Sequence, residues 1–475
     1  MAVDMSSPAL SRLTDYDPHY DPLVDATPGY GRDYAPTHWV ATAGQPPADD
    51  GAIGGDVDAD VVIVGAGFTG LAAALFLARE HGIKATVLEA NQTAWGCTSR
   101  NGGQGQNASG RLYRSQWIAR WGQEVAVKLD AEIRCGYETF KALVAEMPEC
   151  EPQTGGHLFM AHRPKKLDFL RTEGELMKRV FGYDTRMLSR ADVHEHYLAD
   201  HECHGALLEP EGIGVHPLKL AFGYLNRARA LGTRVHPASP VLDITTRAGV
   251  HFLRTPGGTV RARAVGFATG GYTSNALHSS LKARIMPILS NALVTRVLSP
   301  DERKAAGLHS TVFVTDTRTL RFYYRLLPDG RMQMGSRSAI TGADASNPRH
   351  MQLLRDGLHR KFPALRDVEI AHSWWGWVDV SHDMMPRVAQ PDAALQVFYA
   401  LGYGGNGVAF SAHAGRRLAQ RIAGQPDPAF GLPIYASELE YPNVFNAVRS
   451  AAFSPWRRLG QRALYHWYHL RDEVL

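Results

Sequence analysis

Cysteine is scarce in this chain: four among 475 residues (Cys97, Cys135, Cys150 and Cys203), with no CxxC pair and no Cys/His spacing suited to a metal. That excludes a disulfide framework and a zinc site, and it fits a reducing compartment. Charge of one sign is also lacking. The net charge of +4 is small for this length, and no Lys/Arg cluster forms a binding stripe, so no nucleic-acid partner is expected. No stretch approaches the ~20 apolar residues needed to cross a bilayer. The N-terminus has no basic segment followed by an apolar core, so it does not read as a secretory signal. Internal repeats are absent. The expectation is a cytoplasmic protein, monomer or homodimer, that acts on small molecules.

What is present begins after a Pro-, Asp-, Tyr- and Gly-rich arm, residues 1–57, which reads as extended over the surface or without fixed structure. Asp60-Val61-Val62-Ile63-Val64 is nearly all apolar, the pattern of a strand buried on both faces of a parallel sheet. A Gly-rich turn, a helix over Leu71–Glu80 and a second strand, KATVL, complete a βαβ unit. Residues 115–147 have one long helical periodicity. RFYYRLLPDGRMQMGSR places two strands around a Pro-Asp-Gly turn and predicts a hairpin. These textures divide the chain into two interleaved parts. The segments 58–150, 213–280 and 373–424 form a nucleotide-binding α/β part with a parallel, Rossmann-like sheet. Segments 151–212 and 281–372 form an α+β part on an antiparallel sheet, and 425–475 is a tail.

The chemistry starts at Gly65-Ala66-Gly67-Phe68-Thr69-Gly70. Gly65 permits the tight turn out of the strand, Gly67 lets backbone approach a pyrophosphate, and Gly70 lets the helix pack closely on the sheet. The helix N-terminus offers free N–H groups to phosphate. Glu89, 19 residues after Gly70, is placed to accept hydrogen bonds from ribose hydroxyls. This fingerprint suits NAD and FAD equally.

Three further segments favour FAD. Ser99-Arg100-Asn101-Gly102-Gly103-Gln104 is a small-residue, donor-rich loop able to press on a ring system or phosphate. Ala268-Thr269-Gly270-Gly271 is a backbone-approach turn after a strand. Gly402-Tyr403-Gly404-Gly405-Asn406-Gly407-Val408 leads into a helix whose N-terminus suits the negative charge of a reduced flavin. In their order, GAGFTGL, VLEA, SRNGGQ, ATGGY and GYGGNGV resemble the FAD-dependent D-amino-acid-oxidase-like superfamily, the glycine/sarcosine-oxidase group. Within it, SRNGGQ together with the hairpin looks most like bacterial γ-glutamylputrescine oxidoreductases.

The resemblance implies non-covalent FAD, with the fingerprint glycines, Glu89 and Ala90 on its ADP half and Val241 beside the adenine. It places Asn101 to Gln104 by the isoalloxazine. It implies hydride transfer from a C–N carbon of a small amine, polyamine or γ-glutamylated, with oxygen or a quinone as electron acceptor. Such chemistry needs an aromatic, water-excluding box more than a dedicated acid or base. Tyr324, Trp374 and Tyr403 are the candidates. Tyr323 and Tyr324 point to opposite faces of a strand, so only one faces the substrate. The competing readings are an amino-acid oxidase or dehydrogenase, which would use Arg321, Arg325 or Arg337 for the carboxylate, and a flavin-binding protein without turnover. Cys97 beside the flavin loop reads as a small buried thiol, and Asp383 as a loop cap or a polar contact to the flavin. The basic, aromatic helix at 455–468 is expected to dock on its own protein or a second subunit, with an anionic membrane as the lesser alternative.

Overall fold

The computed structural model describes residues 20–282, 284–436 and 454–474. Strand Val57–Val64 alternates between half-exposed and exposed over its first half and is buried on both faces over Val61–Val64. That burial comes from neighbours on either side. The strand pairs in parallel with Gly258–Phe267 and with Thr86–Leu88. The sheet continues in parallel to Arg234–His236 and Val397–Leu401, and Arg387–Asp392 closes one edge antiparallel.

Helix Phe68–His81 lies on this sheet and ends at Gly82, whose left-handed backbone (φ 68°) returns its N–H to the last turn. Its ten residues Phe68 to Leu77 are all buried. Helix Phe410–Ile422 crosses it at close range, because a Cβ on Gly415 would sit 2.7 Å from the Thr69 carbonyl oxygen. The predicted helix over 115–147 is instead two helices, Arg114–Trp121 and Gln123–Ala145. The break is Gly122, whose φ of 81° no helix can continue through.

The second sheet has eight strands, from Ile370–Ser381 through Ile285–Thr295 and the hairpin to Arg186–Ser189. It is antiparallel except where Phe313–Asp316 runs parallel to His157–Met160. The sequence reading assigned 373 onward to the nucleotide-binding part. Residues 370–381 pair with 285–295 in this second sheet. The chain therefore leaves the first sheet twice to build the second.

The N-terminal arm is more than a surface strap. From Tyr20 onward it buries Tyr20, Ala35, Thr37, His38 and Trp39; residues 1–19 lie outside the described residues. The tail helix Ser454–His469 docks on its own protein. Arg458 pairs with Asp21 at 2.6 Å, and the Thr319 N–H donates to Asp472 at 2.5 Å. The side chains of Pro455, Trp456 and Arg457 lie outside the described residues, and Trp467 is exposed. Among the described residues no helix is long and apolar enough to cross a membrane.

One buried charge cluster braces the helix that follows the last glycine turn. Glu132 accepts from His413 (2.7 Å), from Arg417 (2.7 and 2.9 Å) and from Tyr435. Burial alone would raise its carboxyl, yet these donors hold it far below the usual 4.5. A depressed carboxylate contributes stability above its unfolded value and loses it as pH falls. Glu132→Gln is therefore expected to cost about 2 kcal/mol near neutrality. The gap in melting temperature from the parent should close as pH drops below 4.5, as thermal melts at several pH values would show.

Candidate active site

A cavity of about 240 Å³ lies between the two sheets. One part of its wall is the fingerprint: Gly65, Gly67, Phe68 and Thr69. Gly65 has φ 105°, and a Cβ there would lie 2.6 Å from the Ala268 carbonyl oxygen, so only glycine fits. The helix that begins at Phe68 gets no cap from its own Gly67; its first N–H, that of Phe68, donates to the Thr98 hydroxyl at 3.1 Å. Gly70 stands behind the wall, with its Cα face against Gly65.

Glu89, Ala90 and Val241 line another part of the cavity. The Glu89 carboxylate accepts from the Ala66 N–H at 2.9 Å and the Asn91 N–H at 3.0 Å, and burial raises its pKa. Each oxygen keeps a lone pair for a hydroxyl donor. Thr269 and Gly270 also line the wall.

The loop 99–104 contributes Arg100, Asn101, Gly102 and Gln104 to the lining, whereas Ser99 and Gly103 face away. Ser99 is fully buried, with its hydroxyl donating to the Trp95 carbonyl at 2.9 Å. Gly103 packs on the Val215 carbonyl. Four consecutive carbonyls of this loop are each held by a different side chain. Thr37 donates to Ser99 O (3.1 Å) and Trp374 to Arg100 O (2.8 Å). Trp39 donates to Asn101 O (2.8 Å) and Arg325 to Gly102 O (3.1 Å). Arg100 itself lies over the Trp95 ring, 4.3 Å from its centre.

The last glycine turn supplies Tyr403, Gly404, Gly405, Asn406, Gly407 and Val408. Tyr403 Oη and Thr69 Oγ1 are 2.8 Å apart, which ties this turn to the fingerprint helix. Gly402 is not in the lining; its N–H donates to Asp379 at 2.6 Å. Asp379, which does line the cavity, was not anticipated from sequence, and burial raises its carboxyl.

Two aromatic candidates are corrected. Tyr324 is wholly buried in the core of the second sheet, where its hydroxyl donates to Asp200, so it does not reach the cavity. Its neighbour Tyr323 does, lying against Gly102 and Gly335. Trp374 is 1 % exposed and serves as the clamp on Arg100 O, outside the lining. Tyr403 lines the cavity.

Among the arginines, Arg325 is likewise a clamp, whereas Arg321 and Arg337 line the cavity together with Arg111. Asp383 caps its own loop, accepting from Met385 N–H at 3.2 Å and from Arg387. Cys97 lines the cavity.

These features fit a dinucleotide that carries a flavin. A helix N-terminus, a turn at Gly65 that admits no Cβ, a buried acid with spare lone pairs and a braced donor loop share one cavity.

Comparison with known proteins agrees. The family described as "DAO: FAD dependent oxidoreductase" matches residues 60–421. Gamma-glutamylputrescine oxidoreductase of Escherichia coli (strain K12) is 31% identical over 418 residues, covering 85% of this chain and 94% of that protein. Sarcosine oxidase subunit beta of Arthrobacter sp is 24% identical over 425 residues, covering 83% and 94%. Among solved structures, glycine oxidase from Geobacillus kaustophilus superposes with a TM-score of 0.67 at 21% identity, covering 78% of this chain and 96% of that one.

Proposed function

Because the chain belongs to the DAO family of FAD-dependent oxidoreductases, we propose that it oxidises a C–N bond of a small amine of the polyamine or γ-glutamylated type. FAD supplies the two-electron acceptor for a hydride leaving the carbon next to nitrogen. The protein's own work is to hold the cofactor, exclude water and aim the C–H bond.

Gly67, the helix N-terminus that begins at Phe68, and Glu89 would hold the ADP half. The braced loop 100–104 and the turn 403–408 would enclose the flavin end. Tyr323, Tyr403 and Val378 give that end apolar, flat walls against which a neutral amine packs.

The observation that carries the reading is the continuity of the site. Arg111, Arg321 and Arg337 line both this cavity and a second one of about 710 Å³. A substrate therefore has a way in, which a flavin carrier without turnover does not need. The same arginines favour a second reading, oxidation of an amino acid whose carboxylate they would bind.

The test is anaerobic titration of the yellow protein with polyamines, γ-glutamyl amines and amino acids. Bleaching of the flavin by an amine supports the proposal, and failure of every amine defeats it. Admitting air afterwards separates an oxidase from a dehydrogenase.

The expectation is a flavin held without a covalent bond. Burial and the nearby Asp379 push the Cys97 thiol up to about 12, so almost no thiolate exists near neutrality to attack the ring. Acid precipitation is expected to leave all the yellow colour in the supernatant. Colour retained in the protein pellet would contradict this.

A further inference from the structure

One face of the tail helix is accounted for, and the opposite face is not. Helix Ser454–His469 runs on into a further turn, Leu470–Val474. Arg458, Gln461, Tyr465, Tyr468 and Asp472 recur every three or four residues and turn inward. Arg458 holds Asp21 and the Pro287 carbonyl, Gln461 and Asp472 are buried, and Tyr465 and Tyr468 wall the larger cavity.

Leu459, Ala463, Trp467, Leu470 and Val474 have the same spacing and lie on the other side of the helix. Ala463 is exposed, and the four larger side chains are 42 to 68 % exposed. Other exposed large apolar residues among the described ones are scattered along the chain, whereas here four fall on one line. A continuous apolar stripe left in water marks a surface that meets a partner.

The charges beside the stripe are of one sign. Arg462 is exposed and pairs with no acid among the described residues. At the far end, His162 donates to the Asp472 carbonyl at 3.1 Å, which sets Lys165 and Lys166 beside the helix terminus. Arg471 and Lys166 share a wall of the larger cavity there. The two acids of the helix end are used inward: Asp472 accepts from the Thr319 N–H at 2.5 Å, and Glu473 pairs with Arg318 at 2.5 Å. Of the four cations, only Arg471 pairs with one of these acids, Asp472 at 3.4 Å.

We propose that the outward face of the tail helix docks on an anionic phospholipid bilayer, with Leu459, Ala463, Trp467, Leu470 and Val474 in the headgroup layer and Arg462, Lys165 and Lys166 on lipid phosphates.

A bilayer answers both features at once. Its acyl boundary accepts an apolar stripe about 5–10 Å deep, a tryptophan ring suits headgroup depth, and its phosphates take the cations. A second copy of the chain does not. Stripe against stripe brings the cations of both helices together, with no acid of either helix left to answer them. The helix is not apolar enough to cross the bilayer, so it lies in the interface. The docked surface borders the way into the site, because Leu464 is both exposed and part of the larger cavity's wall. None of this depends on which amine is oxidised.

The test is sedimentation of the FAD-loaded protein with vesicles, one set of phosphatidylcholine alone and one of equal parts phosphatidylcholine and phosphatidylglycerol. Binding to the anionic set should be at least about ten-fold tighter than to the neutral set and should weaken with added salt. Trp467→Gln combined with Leu470→Gln should weaken it about ten-fold. Arg462→Gln combined with Lys165→Gln should do the same on the anionic set alone. Val127→Gln, which removes an exposed apolar side chain from helix Gln123–Ala145, should change nothing. All three variants should keep the parent's flavin absorbance and melting temperature, because every altered side chain is exposed.

No sedimentation with either set overturns the proposal, as does equal binding by the parent and the Trp467→Gln, Leu470→Gln variant. Equal affinity for the two sets overturns the anionic partner. If that variant instead turns a dimer into a monomer while the parent ignores vesicles, the face is a subunit contact and the proposal fails.

Discussion

Gly70→Ala is expected to yield protein without flavin, most of it insoluble. A Cβ at this position would lie 1.8 Å from the carbonyl oxygen of Gly65 and 3.0 Å from its carbonyl carbon. Both atoms are backbone, so no rotamer change relieves the contact. The strand Val57–Val64 is held in register on both sides, and the helix Phe68–His81 is pinned beneath Phe410–Ile422 at Gly415. Strand and helix cannot slide apart without breaking one of these packings. Overpacking a core that can adjust costs about 1–3 kcal/mol; here the immovable partner is the turn that must cradle pyrophosphate, so the loss exceeds that range. The ratio of flavin to protein absorbance should fall to near zero, and the melting temperature should drop by ten degrees or more on the scale of about 2–4 °C per kcal/mol. Soluble Gly70→Ala with full yellow colour would show that the turn is looser than its geometry says.

What the sequence discloses about this site follows from how local each signal is. The fingerprint, Glu89 and the two later glycine turns are runs in which neighbouring residues act together, and such runs survive reading one residue at a time. Tyr323 and Tyr324 show the limit. Alternation along a strand puts them on opposite faces, but which face meets the cavity depends on the register Tyr323↔Gly335 and on the loop at Gly102. The first lies within the hairpin, but the second joins residues 221 positions apart. Trp374 sits in an aromatic run whose composition suits a substrate box and a core equally. Its indole N–H is used on Arg100 O, a contact between distant segments. The N-terminal arm has the composition of an unstructured strap, yet Thr37 and Trp39 reach the flavin loop from it. Gly122 interrupts a periodicity that continues through it, because the hydrophobic pattern does not record a change of axis. The two-sheet architecture was legible because its signals, βαβ and hairpin, are each local.

The clamp on the loop 99–102 explains why several buried polar side chains are tolerated near the cofactor, and it sets the second large effect. Arg325 is 2 % exposed, and its guanidinium serves three acceptors. It donates to Gly102 O at 3.1 Å, Val215 O at 2.6 Å and Gln153 Oε1 at 2.8 Å. The first belongs to the flavin loop, the second to the segment against which Gly103 packs, and the third to a side chain beside the second sheet. One planar group thus joins the loop to both its supports, which a point-like ammonium cannot do. Arg325→Met keeps an unbranched apolar side chain but removes the guanidinium, 5.5 Å from the centre of the Trp39 ring, and leaves two buried carbonyls and an amide without their donor, at about 1–3 kcal/mol each. The expected total is about 3–5 kcal/mol, with FAD dissociating at least about a hundred-fold more readily because the loop is no longer held in its bound shape. Arg325→Lys should recover only part, since it can satisfy one or two acceptors. Arg321→Gln, a neighbour on the same hairpin that clamps nothing, should keep its flavin. Equilibrium dialysis of FAD from the three variants reads the contrast directly. If Arg325→Met binds FAD as tightly as Arg321→Gln, the loop is organised by its own turns and by Trp39, Thr37 and Trp374, and the arginine is dispensable.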